Sequence, residues 1–171
     1  MEFSQVLKNR ASVRKFKPDM VEKEKIDAIL EAGRICPTAK NAQPQRVFVL
    51  TKEEDFEKLG MAKDGRFNAP VVLLVCSDRG VSWESNIEPG YNTWEMDGSI
   101  AMTYMMLEAT NQGLGSCWVR RLDTREIKKN FNLPSNYEVV SMMPIGYATD
   151  DYEPSPRHKE RNPIDNMVVW L

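Results

Sequence analysis

The chain carries a single histidine, His158, in 171 residues. A zinc or iron centre built from several imidazoles is therefore excluded within one chain, and only a dyad using one His stays open. His158 lies in the polar, proline-spaced run EPSPRHKERNP and is expected to be a solvated loop residue. Cysteine is almost as scarce. Cys36, Cys76 and Cys117 are odd in number and form no C-x-x-C pair, which argues against a disulfide framework or a thiolate metal cage. They are expected as reduced, partly buried thiols, and no metal site is expected. No apolar run approaches the roughly 20 residues that span a bilayer, and the N-terminal MEFSQVLKNRASVRKF lacks the apolar core of a secretory signal. A cytoplasmic protein without a membrane partner is the expectation. Neither sign of charge prevails: 23 Lys+Arg against 25 Asp+Glu leave a net charge of -2, which speaks against nucleic acid as a partner. An enzyme with so few metal ligands would leave its hard chemistry to an organic cofactor.

What is present is the composition of an ordinary globular chain, 42% hydrophobic and 28% charged, at the length of about one domain. A single domain over residues 1–171 is expected. Phe3, Val6 and Leu7 recur at helical spacing, so a first helix should stop near Arg10. Asp19 followed by Glu22 reads as a helix start, with Ile26, Ile29 and Leu30 as its apolar stripe up to Gly33. Arg46–Leu50 and Pro70–Cys76 read as strands, the second buried on both faces, with a surface helix over Glu53–Met61 between them. Thr93–Asn111 reads as a helix that is apolar around much of its circumference and so needs cover on more than one side. That cover comes from the centre of a monomer or from a second subunit. Gly113 should cap this helix in the left-handed conformation, ahead of a strand over Ser116–Val119, a short helix begun by Asp123 and Glu126, and a strand over Glu138–Met143.

Four segments have the residue types that carry binding chemistry. In Arg10-Ala11-Ser12-Val13-Arg14 an extended backbone puts two guanidinium groups and one hydroxyl on one face and turns Val13 inward. This suits a phosphate, whose oxygens accept from the forked Arg donors; the other reading is a solvated basic turn. A second basic cluster, Arg157, Lys159 and Arg161, could converge with the first or simply keep a tail soluble. Between Pro37 and Pro44 the side chains of Thr38, Asn41 and Gln43 offer donors and acceptors that fit a polyhydroxyl chain, unless the segment is only a loop. The turn Gly113-Leu114-Gly115-Ser116 follows a helix instead of opening one and lacks the dinucleotide fingerprint, but its small residues would let backbone N–H groups approach a flat ring.

Taken in order, R-x-S-V-R, P-T-A-x-N-x-Q-P, the apolar helix ending in G-L-G-S-C-W and the late K-E-R resemble the nitroreductase family of FMN enzymes over nearly the whole chain. The resemblance implies an α+β fold: a mostly antiparallel central sheet flanked by helices, with a long buried central helix. It implies a homodimer with FMN at the subunit interface. It assigns the flavin phosphate to Arg10, Lys159 and Arg161 with Ser12 beside it, and Arg14 to the ribityl chain and the N1/O2 edge of the ring. Thr38, Asn41 and Gln43 would come from the partner, and Gly113, Leu114, Gly115 and Ser116 would lie along the isoalloxazine. Trp83, Tyr91 and Trp94 are candidates to shape the substrate pocket. The implied activity is hydride transfer from NADH or NADPH through FMN to a small planar acceptor such as a nitroaromatic or quinone, by ping-pong kinetics and with no protein residue in a catalytic role. Other reactions on the same fold (enone reduction, dehalogenation, flavin breakdown) and a non-catalytic FMN or phosphorylated-ligand binding protein are the alternatives.

Overall fold

In the computed structural model, which describes residues 1–171, four strands form one antiparallel sheet with helices on both faces. The strands are β1 (Gln45–Leu50), β2 (Val71–Asp78), β3 (Gly115–Ser116) and β4 (Tyr137–Gly146), in the spatial order β1-β2-β4-β3. The helices are α1 (Phe3–Asn9), α2 (Lys23–Ile35), α3 (Glu53–Glu57), α4 (Trp94–Asn111) and α5 (Thr124–Asn130). No helix is long and apolar enough to cross a membrane.

The apolar run of β2 is buried over its full length because β1 and β4 flank it and both its faces are covered. Its period-2 alternation sends Val71, Leu73 and Val75 into a core with Ile29, Met102 and Met105 of α2 and α4. Val72, Leu74 and Cys76 face the opposite core, with Phe56, Leu59 and Ile127. Each such side chain contributes about 1.5–3 kcal/mol by leaving water, so β2 anchors both layers. Across the sheet, α4 buries Ala101, Met102, Met105 and Ala109, while Met96 and Tyr104 on its other side stay exposed.

At its end α4 is closed by Gly113 with φ +77°: Gly113 N donates to Thr110 O and Leu114 N to Ala109 O, the paired bonds of a Schellman cap. Elsewhere tertiary contacts displaced the local signals. α2 starts at Lys23 without a side-chain cap, because the Glu22 carboxylate instead accepts from the Tyr147 hydroxyl at 2.6 Å. The helix expected over 53–61 stops at Glu57 and tightens into a 3-10 turn over Gly60–Arg66, which places Leu59 and Ala62 in the core. The strand expected over Ser116–Val119 is confined to Gly115–Ser116. Cys117 N donates to Pro144 O, and Pro144 has no N–H with which to continue the ladder.

Candidate functional site

The segment after α1 is extended, and neighbours on both sides hold it so. Val13 N donates to Ser116 O at 2.9 Å, Ser12 bridges Ser116 in parallel, and Phe16 bridges Ala148 in antiparallel sense. Val13 turns into the core, so Arg10, Ser12 and Arg14 face outward together, as the alternation requires; the alternation breaks after Arg14, where Phe16 also turns inward. Gly115 makes the close approach possible, since a Cβ there would lie 2.6 Å from Val13 Cγ2.

The chain returns to the same place 140 residues later. A 3-10 turn over Pro156–His158 closes a cavity of about 430 Å³ lined by Arg10, Ser12, Arg14, Arg157, His158 and Arg161, with Ala11 and Ser155 at its edges. Four guanidinium groups and two hydroxyls converge there, no carboxylate lines the space, and none of the four arginines is in an ion pair. Such a donor set fits an anion with several oxygens. Lys159, expected beside the anion, is exposed and outside the lining. The 3-10 turn ends at His158 and presents Arg157 and His158 to the cavity; Arg161, past the turn, also lines it, while Lys159 between them is exposed outside it. His158 is a correction to the solvated-loop expectation: it is half-buried, lines the cavity, and its Nε2 sits 3.2 Å from the Lys8 carbonyl at the end of α1.

Beneath the cavity lie groups that sequence reasoning missed. The Tyr152 hydroxyl donates to Ser12 O at 3.3 Å, and burial pushes its pKa up against the opposing pull of Arg14 and Arg10. Cys117 is buried beside Ser12 and Arg14. Burial raises its pKa while the arginines and Ser12 hold it down only in part, so the thiol stays neutral. Ser116 Oγ is buried and finds no hydrogen-bond partner within the chain.

Thr38, Asn41 and Gln43 belong to another place. Gln43 N donates to Thr38 Oγ1 at 3.0 Å, and Gln43 Nε2 to Asn41 O at 3.2 Å. Lys40, Asn41 and Gln43 all have positive φ, between 50° and 55°, at a cost on the order of 1–3 kcal/mol each. Asp97, a buried acid near the start of α4, fixes this loop by accepting from Ala39 N at 2.9 Å and from the Thr93 hydroxyl at 2.8 Å. Of the three acids in α4, Glu95, Asp97 and Glu108, only Asp97 is buried, and no local signal separates it from the other two. Trp83 and Tyr91 stand beside the same loop, edge to face at 6.4 Å, with Lys40 Nζ 5.6 Å from the Trp83 ring centre. Trp94, by contrast, packs half-buried against the core of α2 and α4.

The two groups thus lie at opposite ends of α4. The loop is tied to Asp97. The basic cavity adjoins Gly113–Ser116 just past the helix end, where the Met1 amine donates to Asn111 Oδ1. From Asp97 to Asn111 the helix rises about 21 Å, at about 1.5 Å per residue. One small ligand on one chain does not span both.

An α+β sheet with helices on both faces and a carboxylate-free basic cavity at its β3 edge defines the class, and comparison with known proteins agrees. The model of the nitroreductase family matches residues 7–63 and 55–147, and the chain belongs to that family of enzymes. A Methanothermobacter thermautotrophicus protein named, provisionally, NADH dehydrogenase/NAD(P)H nitroreductase is 32% identical, over 94% of this chain and 88% of its own. The crystal structure of a nitroreductase family protein from Clostridium difficile 630 superposes with a TM-score of 0.92 at 36% identity, covering 99% of this chain and 98% of that one. An FMN-dependent nitroreductase from Clostridium difficile R20291 gives 0.72 at 29% identity, covering 92% and 96%.

Proposed function

We propose that this chain is an FMN-dependent oxidoreductase that takes a hydride from NADH or NADPH and reduces a small planar acceptor. The observation that carries the reading is the cavity of Arg10, Ser12, Arg14, Arg157 and Arg161, four unpaired cations and a hydroxyl with no competing carboxylate. A phosphate monoester bears nearly two negative charges at neutral pH and matches that donor set. The unpartnered Ser116 Oγ beside it fits a site completed by a bound group.

Bound FMN would supply the two-electron carrier between donor and acceptor. Arg10, Arg157 and Arg161 hold the phosphate and Ser12 donates to it. Arg14, a permanent cation, would stabilise negative charge at the N1/O2 edge of a reduced ring. The Gly113–Ser116 backbone, with no large side chain at Gly115, lets the ring lie close. With donor and acceptor using the same face in turn the kinetics would be ping-pong, and the chain would position the partners without a proton-transferring side chain.

We infer a homodimer from the separation along α4. Thr38, Asn41 and Gln43 of a second copy would reach the flavin held by the first, with Trp83 and Tyr91 beside them. The exposed apolar tail, in which Trp170 is 91% accessible, fits an arm that lies on that second copy.

The test is direct. The protein as purified, or after incubation with FMN and gel filtration, is expected to show a flavin spectrum bleached by NADH or NADPH. Arg10→Ala is expected to weaken FMN binding by roughly ten- to a hundredfold, read by fluorescence titration. A colourless protein that does not take up FMN, or an unchanged affinity in Arg10→Ala, would overturn the phosphate assignment.

A further inference from the structure

The cations of this surface commonly pair: Lys15 with Asp151, Lys17 with Asp150, Arg34 with Glu31, Lys128 with Glu138. Besides the four arginines of the proposed flavin cavity, three more unpaired ones share a concavity. Arg120, Arg121 and Arg125 line a space of about 440 Å³ on the far side of the Cys117–Val119 segment. Its one acid, Asp123, caps α5: one carboxylate oxygen, Oδ1, accepts from both Arg125 N at 2.9 Å and Glu126 N at 3.2 Å, so the three cations outnumber it. The cap also uses those amides, so the donors left to the space are the three guanidinium groups and the Thr124 hydroxyl.

A second, narrower cleft of about 230 Å³ adjoins it and shares Met61 and Arg121. Phe67, Val119 and Asp64 complete its walls. Phe67 and Asn68 are held in succession at positive φ, 53° and 61°, a strained turn that places the aromatic ring beside the cleft. Apolar faces, a guanidinium plane and a single carboxylate acceptor suit a purine with an exocyclic amine.

The two spaces lie by the segment that follows β3 away from the proposed flavin. Val119 is three residues past Ser116, about 10 Å along an extended backbone. Resting on the flavin reading above, we infer that this bipartite site takes the adenosine 2′-phosphate end of the donor, so that the enzyme prefers NADPH to NADH. The adenine enters the cleft of Met61 and Phe67, Arg121 stands between the two spaces, and Arg120 and Arg125 hold the dianionic monoester. NADH presents a neutral hydroxyl there and leaves the three cations unmatched.

Two measurements on the FMN-loaded protein test this. Steady-state kinetics are expected to give kcat/KM for NADPH about 10- to 100-fold above that for NADH. The double variant Arg120→Ser/Arg125→Ser, both exposed positions assigned to the monoester alone, should remove the preference by lowering the NADPH value and leaving the NADH value within about twofold. Calorimetric titration with 2′,5′-ADP should show binding that 5′-AMP lacks and that the double variant loses. The inference is overturned if the wild type uses NADH as well as NADPH, or if 2′,5′-ADP binds equally well to wild type and variant or to neither. Failure of the flavin reading looks different: no FMN is retained, or neither donor bleaches it. In that case 2′,5′-ADP binding to the protein as purified, compared between wild type and variant, still decides whether the arginine site exists.

Discussion

Arg14 and Cys117 show how one residue's environment sets its role. Arg14 lines the cavity and pulls on the buried Cys117 thiol, yet burial wins there and the thiol stays protonated. If Arg14 stabilises charge on the reduced flavin as proposed, Arg14→Met should lower the flavin reduction potential in a spectroelectrochemical titration; an unaltered potential would remove that role. At Cys76 burial dominates, with Lys128 opposing and Glu138 adding to it, and the pKa is pushed up to about 12. An unfolded thiol ionises near about pH 8.5, so the folded chain keeps a proton that the unfolded chain loses. The stability this supplies is complete below about pH 8.5 and drains away as pH rises toward 12, at up to about 1.4 kcal/mol per pH unit. Urea unfolding of the wild type and Cys76→Ala at about pH 8 and about pH 10.5 should show the wild-type advantage shrinking by roughly 2 kcal/mol at the higher pH.

At the scale of elements, the extended segment 10–16 and the Gly113–Ser116 turn are one unit, because Ser12 and Val13 lie against Ser116 and Val13 fills the space a side chain at 115 would need. Gly115→Ala should cost about 1–3 kcal/mol by overpacking. Combined with Val13→Ala it should cost less than the two single changes together, by about 0.5–3 kcal/mol in thermal or urea unfolding. The outward face of this segment was legible from its alternation, since in an extended chain side-chain direction follows from position alone. The second basic cluster was legible in composition and misassigned in detail. Arg157 and His158 face the cavity and Lys159 does not, because the chain turns as a 3-10 helix that docks His158 on the Lys8 carbonyl. Nothing local announces that turn's orientation. The Arg120–Arg125 concavity was not legible, for its other wall, Met61, comes from a distant 3-10 turn.

At the scale of the molecule, apolar surface is left where one chain has nothing to cover it. Tyr104 of α4, Phe3 of α1 and Ile35 of α2 border an apolar groove of about 420 Å³, and the tail exposes Met167, Val169, Trp170 and Leu171. If the homodimer proposed above forms through this tail, deleting residues 164–171 should shift the protein toward monomer in sedimentation at micromolar concentration and weaken the proposed FMN retention, while Arg161 remains in place. A truncated chain that stays dimeric would put the subunit contact elsewhere.

Taken alone, the amino-acid order determined the features that local geometry dictates: the wholly apolar β2, the α4 helix with its Gly113 cap, and the outward row Arg10, Ser12, Arg14. Periodicity and glycine's tolerance of positive φ act over a few residues and need no partner. Only the tertiary structure decided which cations share a cavity and that the Thr38–Gln43 loop stands at the other end of α4. Those relations join residues far apart in the chain, and they depend on sheet register and helix packing, which no local propensity encodes.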